Sequence, residues 1–251
     1  MLLKNKIALV TGSSRGIGAA IARRFAAEGA RVAVHGRDGA ARAQVLREIR
    51  ERGGTAIEVE GDVTSFAAIE ALRTTIEARL GPVEILVANA GGNATPPGPL
   101  EEISEAGWRA SIDGNLTATF LTLKSFLPGM KARRAGSIVT LSSAAARKPP
   151  IGAPIAYACA KAGIILLTQD AAAQVGPDGI RVNCIAPETI LTDRNRQRIP
   201  AATQEMLVGT HPLRRLGTPE DVAEAALYLA SPQSGWVSGI VLDVAGGAVM
   251  V

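Results

Sequence analysis

Lys6-Ile7-Ala8-Leu9-Val10-Thr11-Gly12-Ser13-Ser14-Arg15-Gly16-Ile17-Gly18 decides how the chain folds. Lys6 to Val10 is a short run rich in branched apolar residues, which predicts a strand, and it breaks at Thr11-Gly12. Ala19 to Glu28 then reads as a helix closed by Gly29. Arg31 to Val34 reads as a second strand, ending in the polar turn His35-Gly36-Arg37-Asp38. Strand, glycine-rich turn, helix and strand within about thirty residues form the start of a nucleotide-binding βαβ unit.

The alternation continues outward from that unit. Ala40 to Arg52, Phe66 to Leu80 and Pro154 to Val175 have helical patterning. Ser104 stands where it would cap a long helix reaching Ala132. Further strands are expected at Thr55 to Glu60, Val83 to Ala88, Ser137 to Leu141, Ile180 to Ile185 and Ile240 to Val244. Pro187 to Leu216 is irregular, with a helix expected inside it. Thr218-Pro219-Glu220-Asp221 opens the last helix, with Thr as cap and Pro in the first turn. The pattern predicts an α/β, Rossmann-type fold: a doubly wound, seven-stranded parallel sheet with helices on both faces. No linker composition or repeat divides it, so residues 1–251 are expected to form a single dinucleotide-binding and catalytic domain.

Composition narrows the function. The 251 residues are 47% hydrophobic, enough for a sizeable core. No run approaches the roughly 20 apolar residues of a membrane span. Met1 to Lys6 leads straight into a strand, leaving no room for a signal peptide, so a cytoplasmic protein without a membrane partner is expected. Cys159 and Cys184 give neither a disulfide framework nor a metal set, which suits a reducing compartment. His35 and His211 are the only histidines, which argues against a histidine metal cluster or a histidine-centred relay. Arginine is dispersed and aromatics are 3%, which argues against a nucleic-acid partner.

Tyr157 and Lys161 are four residues apart in Pro154-Ile155-Ala156-Tyr157-Ala158-Cys159-Ala160-Lys161, hence neighbours on a helix. A unit charge about 4 Å away, at an effective dielectric near 20, is worth about 4 kcal/mol. At about 1.36 kcal/mol per unit, that lowers a phenol pKa from about 10 toward about 7. Such a tyrosine exchanges a proton at working pH. A packed tyrosine beside a solvated lysine has the same spacing, so the context decides.

In a doubly wound sheet, ligands bind beyond the carboxyl ends of the strands, and polar residues gather there. Thr11 to Gly18 ends the first strand; its glycines let the backbone approach a pyrophosphate, and the next helix offers free N–H groups. The spacing differs from the commoner G-x-G-x-x-G. Asp62-Val63 ends the third strand, Ala88-Asn89-Ala90-Gly91 the fourth and Ser142-Ser143 the fifth. Taken singly, these are also ordinary turn formers.

Together, Thr11-Gly12-x3-Gly16-Ile17-Gly18, Asp62, Asn89-Ala90-Gly91, Asn115, Ser143 and Tyr157-x3-Lys161 resemble the motif set of the short-chain dehydrogenase/reductase family. The resemblance runs from Lys6 to Gly247 and is to the single-domain branch, most of all to its 3-oxoacyl-[acyl-carrier-protein] reductases. It implies Tyr157 as proton donor in carbonyl reduction and Lys161 as the group that lowers its pKa and holds the nicotinamide ribose. It implies Ser143 on the substrate carbonyl and Asn115 in a water relay. It places Gly12, Ser14, Arg15, Gly16, Ile17, Gly18, Asp62 and Val63 at the cofactor, Asp62 toward the adenine. Asn89, Ala90 and Gly91 would line the cofactor, and Pro187, Ile190 and Thr192 would meet its carboxamide end.

The cofactor expected is NADP(H). NAD-binding members carry an acid at the end of the second strand that accepts from the ribose hydroxyls. Gly36 stands there, Arg37 follows, and Arg15 approaches the same ribose from the glycine-rich turn. Two guanidinium groups can hold one 2′-phosphate through charge-assisted bonds. The alternative is a solvated Arg37, with Asp38 accepting from an NAD ribose.

The function expected is interconversion of a ketone and a secondary alcohol, on a small carbonyl or alcohol substrate, free or carrier-bound. The alternatives are an NAD(H)-dependent dehydrogenase of a small alcohol, sugar or polyol, and a non-catalytic cofactor-binding regulator. The loops Gly92 to Leu100, Ala144 to Ala153 and Pro187 to Leu216 would frame the substrate. Arg194, Arg196, Arg198, Arg214 and Arg215 in the last of these suit either an acidic carrier or a solvated face. Glu188 departs from the family's usual glycine and is expected to face solvent or cap local backbone; the other reading turns it to the nicotinamide or substrate mouth. Ala245 stands where the family commonly has Asp. The helices expected over Ser104–Ala132 and Pro154–Val175 are apolar over more than one narrow face, which predicts a homotetramer.

Overall fold

The aliphatic runs become strands at the expected places. In the computed structural model, which describes residues 1–147 and 152–250, they are β1 (Ile7–Val10), β2 (Arg31–His35), β3 (Thr55–Val59), β4 (Ile85–Ala88), β5 (Gly136–Leu141), β6 (Ile180–Pro187) and β7 (Val241–Val244). All pair in parallel, in the order β3-β2-β1-β4-β5-β6-β7. The chain winds outward from β1 to β3, then returns to lay β4 on the other side of β1. Val10 lies level with both Val34 and Val87, so these three strands end together around the reversal point. A crevice opens there, beyond the carboxyl ends.

Period-two alternation divides the strands between two cores. Ala8 and Val10 face one side with Ile21 and Phe25 of α1 (Gly16–Ala27), Val45 and Ile49 of α2 (Gly39–Glu51), and Val222, Ala226 and Leu229 of α9 (Pro219–Ala230). Ile7 and Leu9 face the other with Ile69 and Ile76 of α3 (Phe66–Arg79), Leu123 and Phe126 of α5 (Ala118–Arg133), and Val175 of α6 (Ile155–Val175). Thr218 and Asp221 complete a reciprocal capping box at the start of α9, with Pro219 as its first residue.

Two helical expectations change. Ser104 does cap a helix, accepting from the Gly107 N–H at 3.1 Å, but the long body is interrupted. α4 (Glu105–Ile112) passes through one wide turn, Asp113–Thr117, before α5 begins. The cause is Asn115, whose Nδ2 takes the Ser111 carbonyl at 2.8 Å, the acceptor an ordinary turn reserves for a main-chain N–H. Between Pro187 and Leu216 there are two helices, α7 (Asp193–Arg198) and α8 (Ala201–Thr210), because Pro200 ends one and starts the next. Residues 148–151 of the expected Ala144–Ala153 loop lie outside the described residues. Among the described residues, no helix is long and apolar enough to cross a membrane, and no side-chain group is arranged to hold a metal.

Candidate active site

The glycine-rich turn is shaped by close approaches. A Cβ on Gly18 would lie 2.4 Å from the Gly12 carbonyl oxygen and 2.5 Å from Asn89 Nδ2. Only glycine lets α1 start so near the β4 end. Across the turn, a Cβ on Gly16 would meet the Thr192 methyl at 3.1 Å, so Thr192 faces the turn over the crevice. Thr192 is also the cap of α7, accepting from the Asn195 N–H. Ile190 is buried and bridges to Gly217.

Asn89 serves the turn through its side chain, with Nδ2 donating to the Thr11 carbonyl at 2.8 Å and the Gly12 carbonyl at 3.2 Å. Thr11 Oγ1 in return accepts from the N–H groups of Asn89 and Ala90. His35 locks the other flank. Its Nδ1 accepts from the Gly12 N–H at 3.0 Å, which leaves Nε2 to donate to the Gly61 carbonyl at 2.9 Å. Burial lowers its pKa, consistent with a neutral ring in that tautomer.

Beyond the end of β2, Gly36 has no room for a side chain: a Cβ would lie 2.6 Å from Ser14 Oγ. Arg15 ion-pairs with Asp38, and Asp38 also caps α2 by accepting from the Ala41 N–H at 2.9 Å. Asp62 is exposed and accepts from Thr64 N at 2.9 Å and Oγ1 at 2.8 Å through one oxygen, which holds its carboxyl below the usual range. Arg37 is exposed and its charge reaches Asp62.

The reacting end is built from β5, α6 and the wide turn. Ser143 follows β5 and hydrogen-bonds with the Tyr157 phenol. Lys161 lies one helical turn beyond Tyr157, buried, its Nζ 5.6 Å from the ring centre. Nζ donates to the Leu141 carbonyl at 2.7 Å, and Ser142 Oγ donates to the Lys161 carbonyl at 2.8 Å. Asn115 pairs with the Gly92 main chain in both directions, at 3.0 Å each, and so fixes the Gly91–Gly92 loop beside this group. The expected lowering of the Tyr157 pKa by Lys161 is not what the fold produces. Burial pushes the phenol up, against the Ser143 hydrogen bond, and burial also pushes Lys161 down to about 8.

Glu188 caps local backbone, as one of the two expected readings had it, and does more: the carboxylate takes the Thr189 N–H and hydroxyl, and Oε2 also meets His211 Nε2 at 2.7 Å.

Residues 12–249 match a family model described as enoyl-(acyl carrier protein) reductase. A 7α-hydroxysteroid dehydrogenase of Escherichia coli K12 is 40% identical over 248 residues, covering 98% of this chain and 95% of that one. The chain belongs to the short-chain dehydrogenase/reductase family. Its structure superposes at a TM-score of 0.93 on a 7α-hydroxysteroid dehydrogenase complexed with NADH and 7-oxo glycochenodeoxycholic acid, with 38% identity over 99% of this chain and 96% of that one. It superposes at 0.94 on a 3-oxoacyl-[acyl-carrier protein] reductase of Brucella melitensis, with 35% identity over 100% and 93%.

As a short-chain dehydrogenase/reductase, the protein has the fold and oxidoreductase class that its motifs implied. The fold brings Ser143, Tyr157, Lys161 and Asn115 around one end of the crevice, and Gly12, Gly16, Gly18 and Thr192 along it. Ile190 points into the core, so what it offers the crevice is backbone. Sequence reading missed His35 and the Glu188–His211 pair. A lone histidine at a strand end beside a glycine-rich turn was the available signal for the first.

Proposed function

We propose that this single domain is an NADP(H)-dependent oxidoreductase that interconverts a ketone and a secondary alcohol, in the direction of reduction at neutral pH. The observation that carries the chemistry is the half-buried Tyr157, its phenol hydrogen-bonded with Ser143 and one turn from buried Lys161. Its raised pKa keeps the phenol protonated near neutrality, the form that can give a proton to a developing alkoxide. Ser143 Oγ directs the carbonyl toward Tyr157, and the Lys161 cation sits under the ring to stabilise the phenolate left behind. The residues fit a dinucleotide: bare backbone at Gly12, Gly16 and Gly18 for a pyrophosphate, and Asn89 and His35 holding that backbone still. When bound, the nicotinamide supplies the hydride.

The preference for NADP(H) is supported by the adenosine end. Ser14 fills the place where a side chain at position 36 would stand, while Arg37 remains exposed and Arg15 lies nearby. Asp38 is engaged by Arg15 and by the start of α2, which disfavours it as a ribose acceptor. A substrate bearing an acidic group is favoured by Arg194, which is exposed and reaches within 3.7 Å of a Cβ position on Gly92, beside the reacting group. The two superposed relatives are named for a bile acid ligand and for carrier-bound acyl groups. Exposed Phe120 on α5 and Ile155 and Leu166 on α6 favour self-association, which we read as a homotetramer, and the free thiols of Cys159 and Cys184 suit a reducing, cytoplasmic setting. The test is a panel of acidic and neutral ketones followed by NADPH absorbance. Absence of turnover across the panel, with cofactor bound, would instead favour a regulator.

A further inference from the structure

The excursion from β6 to α9 leaves the sheet at Glu188 and is tied back to that same side chain. His211 follows α8 and is 2% exposed. Its Nδ1 lies 2.7 Å from the Leu207 carbonyl, which can only accept, so Nδ1 carries a proton. Its Nε2 lies 2.7 Å from Glu188 Oε2, a contact spanning 23 positions of chain. Glu188 is itself fixed to the sheet, its N–H donating to the Val244 carbonyl at 3.1 Å. Gly217 N donates to the Thr189 carbonyl at 3.1 Å, and Leu191 N to the Gly217 carbonyl at 2.8 Å. Between these ties run Thr192, opposite Gly16, and Arg194, beside Gly92. They form the wall of the crevice that faces the glycine-rich turn.

The charges around this tie are otherwise engaged. Arg215 pairs with Asp221, and Asp243 with Arg147, around a cavity of about 260 Å³ that Glu188 and His211 also line. Among the described residues, the basic side chain that meets the Glu188 carboxylate is His211. A contact joining the two ends of a long excursion removes much of that segment's freedom. Losing it also strands a buried ring nitrogen.

We propose that Glu188 and His211 are positioning residues, a clasp that holds the segment from Thr189 to Arg194 at the height needed to close on the cofactor. This rests on the reading that the crevice takes a nicotinamide dinucleotide. The clasp sets how tightly cofactor is held rather than how fast hydride moves.

The test uses full-length Glu188→Ala and Glu188→Gln, with Kd for NADPH by fluorescence, kcat and KM, and tryptic cleavage after the exposed Arg194, Arg196 and Arg198 of α7. Glu188→Ala is expected to raise Kd and cofactor KM about tenfold, the scale of one charge-assisted hydrogen bond. At saturating NADPH, its kcat stays within about twofold, as expected when only uniform binding is lost. Without cofactor, α7 is cut several times faster. Glu188→Gln should recover both in part, because its amide nitrogen can donate to Nε2 while its oxygen still accepts from the Thr189 hydroxyl, though the Thr189 N–H loses its acceptor. If Glu188→Ala does not fold, His211→Asn carries the same comparison, keeping a donor to Leu207 without reaching Glu188. Kd and cleavage equal to wild type in either variant would overturn the clasp. So would a Gln variant as impaired as Ala. Failure of wild type to bind NADPH or NADH would overturn the cofactor reading instead, leaving the cleavage rates to decide the clasp.

Discussion

The Lys161 ammonium stands 5.6 Å from the centre of the Tyr157 ring and gives a hydrogen bond to the Leu141 carbonyl at 2.7 Å. It is therefore a fixed charge beneath the ring, held by the end of β5 (Gly136–Leu141). Tyr157→Phe removes the transferable proton and little else. It should lower kcat by 10² or more while leaving NADPH affinity within about threefold. A variant keeping a tenth of wild-type turnover would show that another group supplies the proton.

Burial lowers Lys161 from 10.5 to about 8, and this makes stability depend on pH in a definite direction. The folded state releases the proton first, so between pH 8 and 10.5 the unfolded chain binds more protons and this site's contribution rises with pH. Below about 8 both states hold the proton and the burial penalty is present in full. Lys161→Met should thus stabilise the fold at neutral pH, with the gain shrinking by up to about 3 kcal/mol toward pH 10. The raised Tyr157 pKa acts oppositely: its contribution is lost as pH rises beyond the ordinary phenol range, so both proteins should carry Tyr157→Phe. Urea unfolding at several pH values checks this; parallel curves for the two proteins would refute it.

Arg37→Ala should cost NADPH far more than NADH. A charge-assisted bond of about 1.5–3 kcal/mol corresponds to a change in kcat/KM ratio of roughly 10–10². A wild type that prefers NADH, or a ratio untouched by the substitution, would remove Arg37 from the phosphate.

Gly18→Ala sets helix propensity against space. Alanine favours a helix interior by about 1 kcal/mol, but its Cβ would overlap the Gly12 carbonyl oxygen and the Asn89 amide. Backbone cannot yield as a side chain does, so a loss of about 2 kcal/mol or more and weaker cofactor binding are expected. Gly209→Ala in α8 (Ala201–Thr210) is the control, open within 4 Å and expected to raise Tm.

Much of this is legible in the sequence, and the reason is local. Strand alternation, the Gly12, Gly16 and Gly18 turn, and the four-residue spacing of Tyr157 and Lys161 all express rules that act within a few residues. Helical spacing made Lys161 a neighbour of Tyr157, but the nearby Leu141 carbonyl decided where the ammonium went. The wide turn at Asn115 arises from its contacts with Ser111 and Gly92, one local and one distant. Glu188 and His211 were unreadable as a pair, because the irregular stretch between them carries no period that would bring them together.

α1 (Gly16–Ala27) and α9 (Pro219–Ala230) are packed on each other, with Arg24 Nε donating to Glu224 Oε1 at 2.6 Å across 200 positions of chain. For a protein made from its first residue onward, this pairing is a schedule. Ile21 and Phe25 leave the ribosome some 200 residues before their cover of Val222, Ala226 and Leu229. At about 5–20 residues per second, the wait is roughly 10–40 s. During that time the growing chain shows an apolar helix face to the cell, and a message cut short before α9 yields a product that never hides it. α9 has to be made before this fold can close.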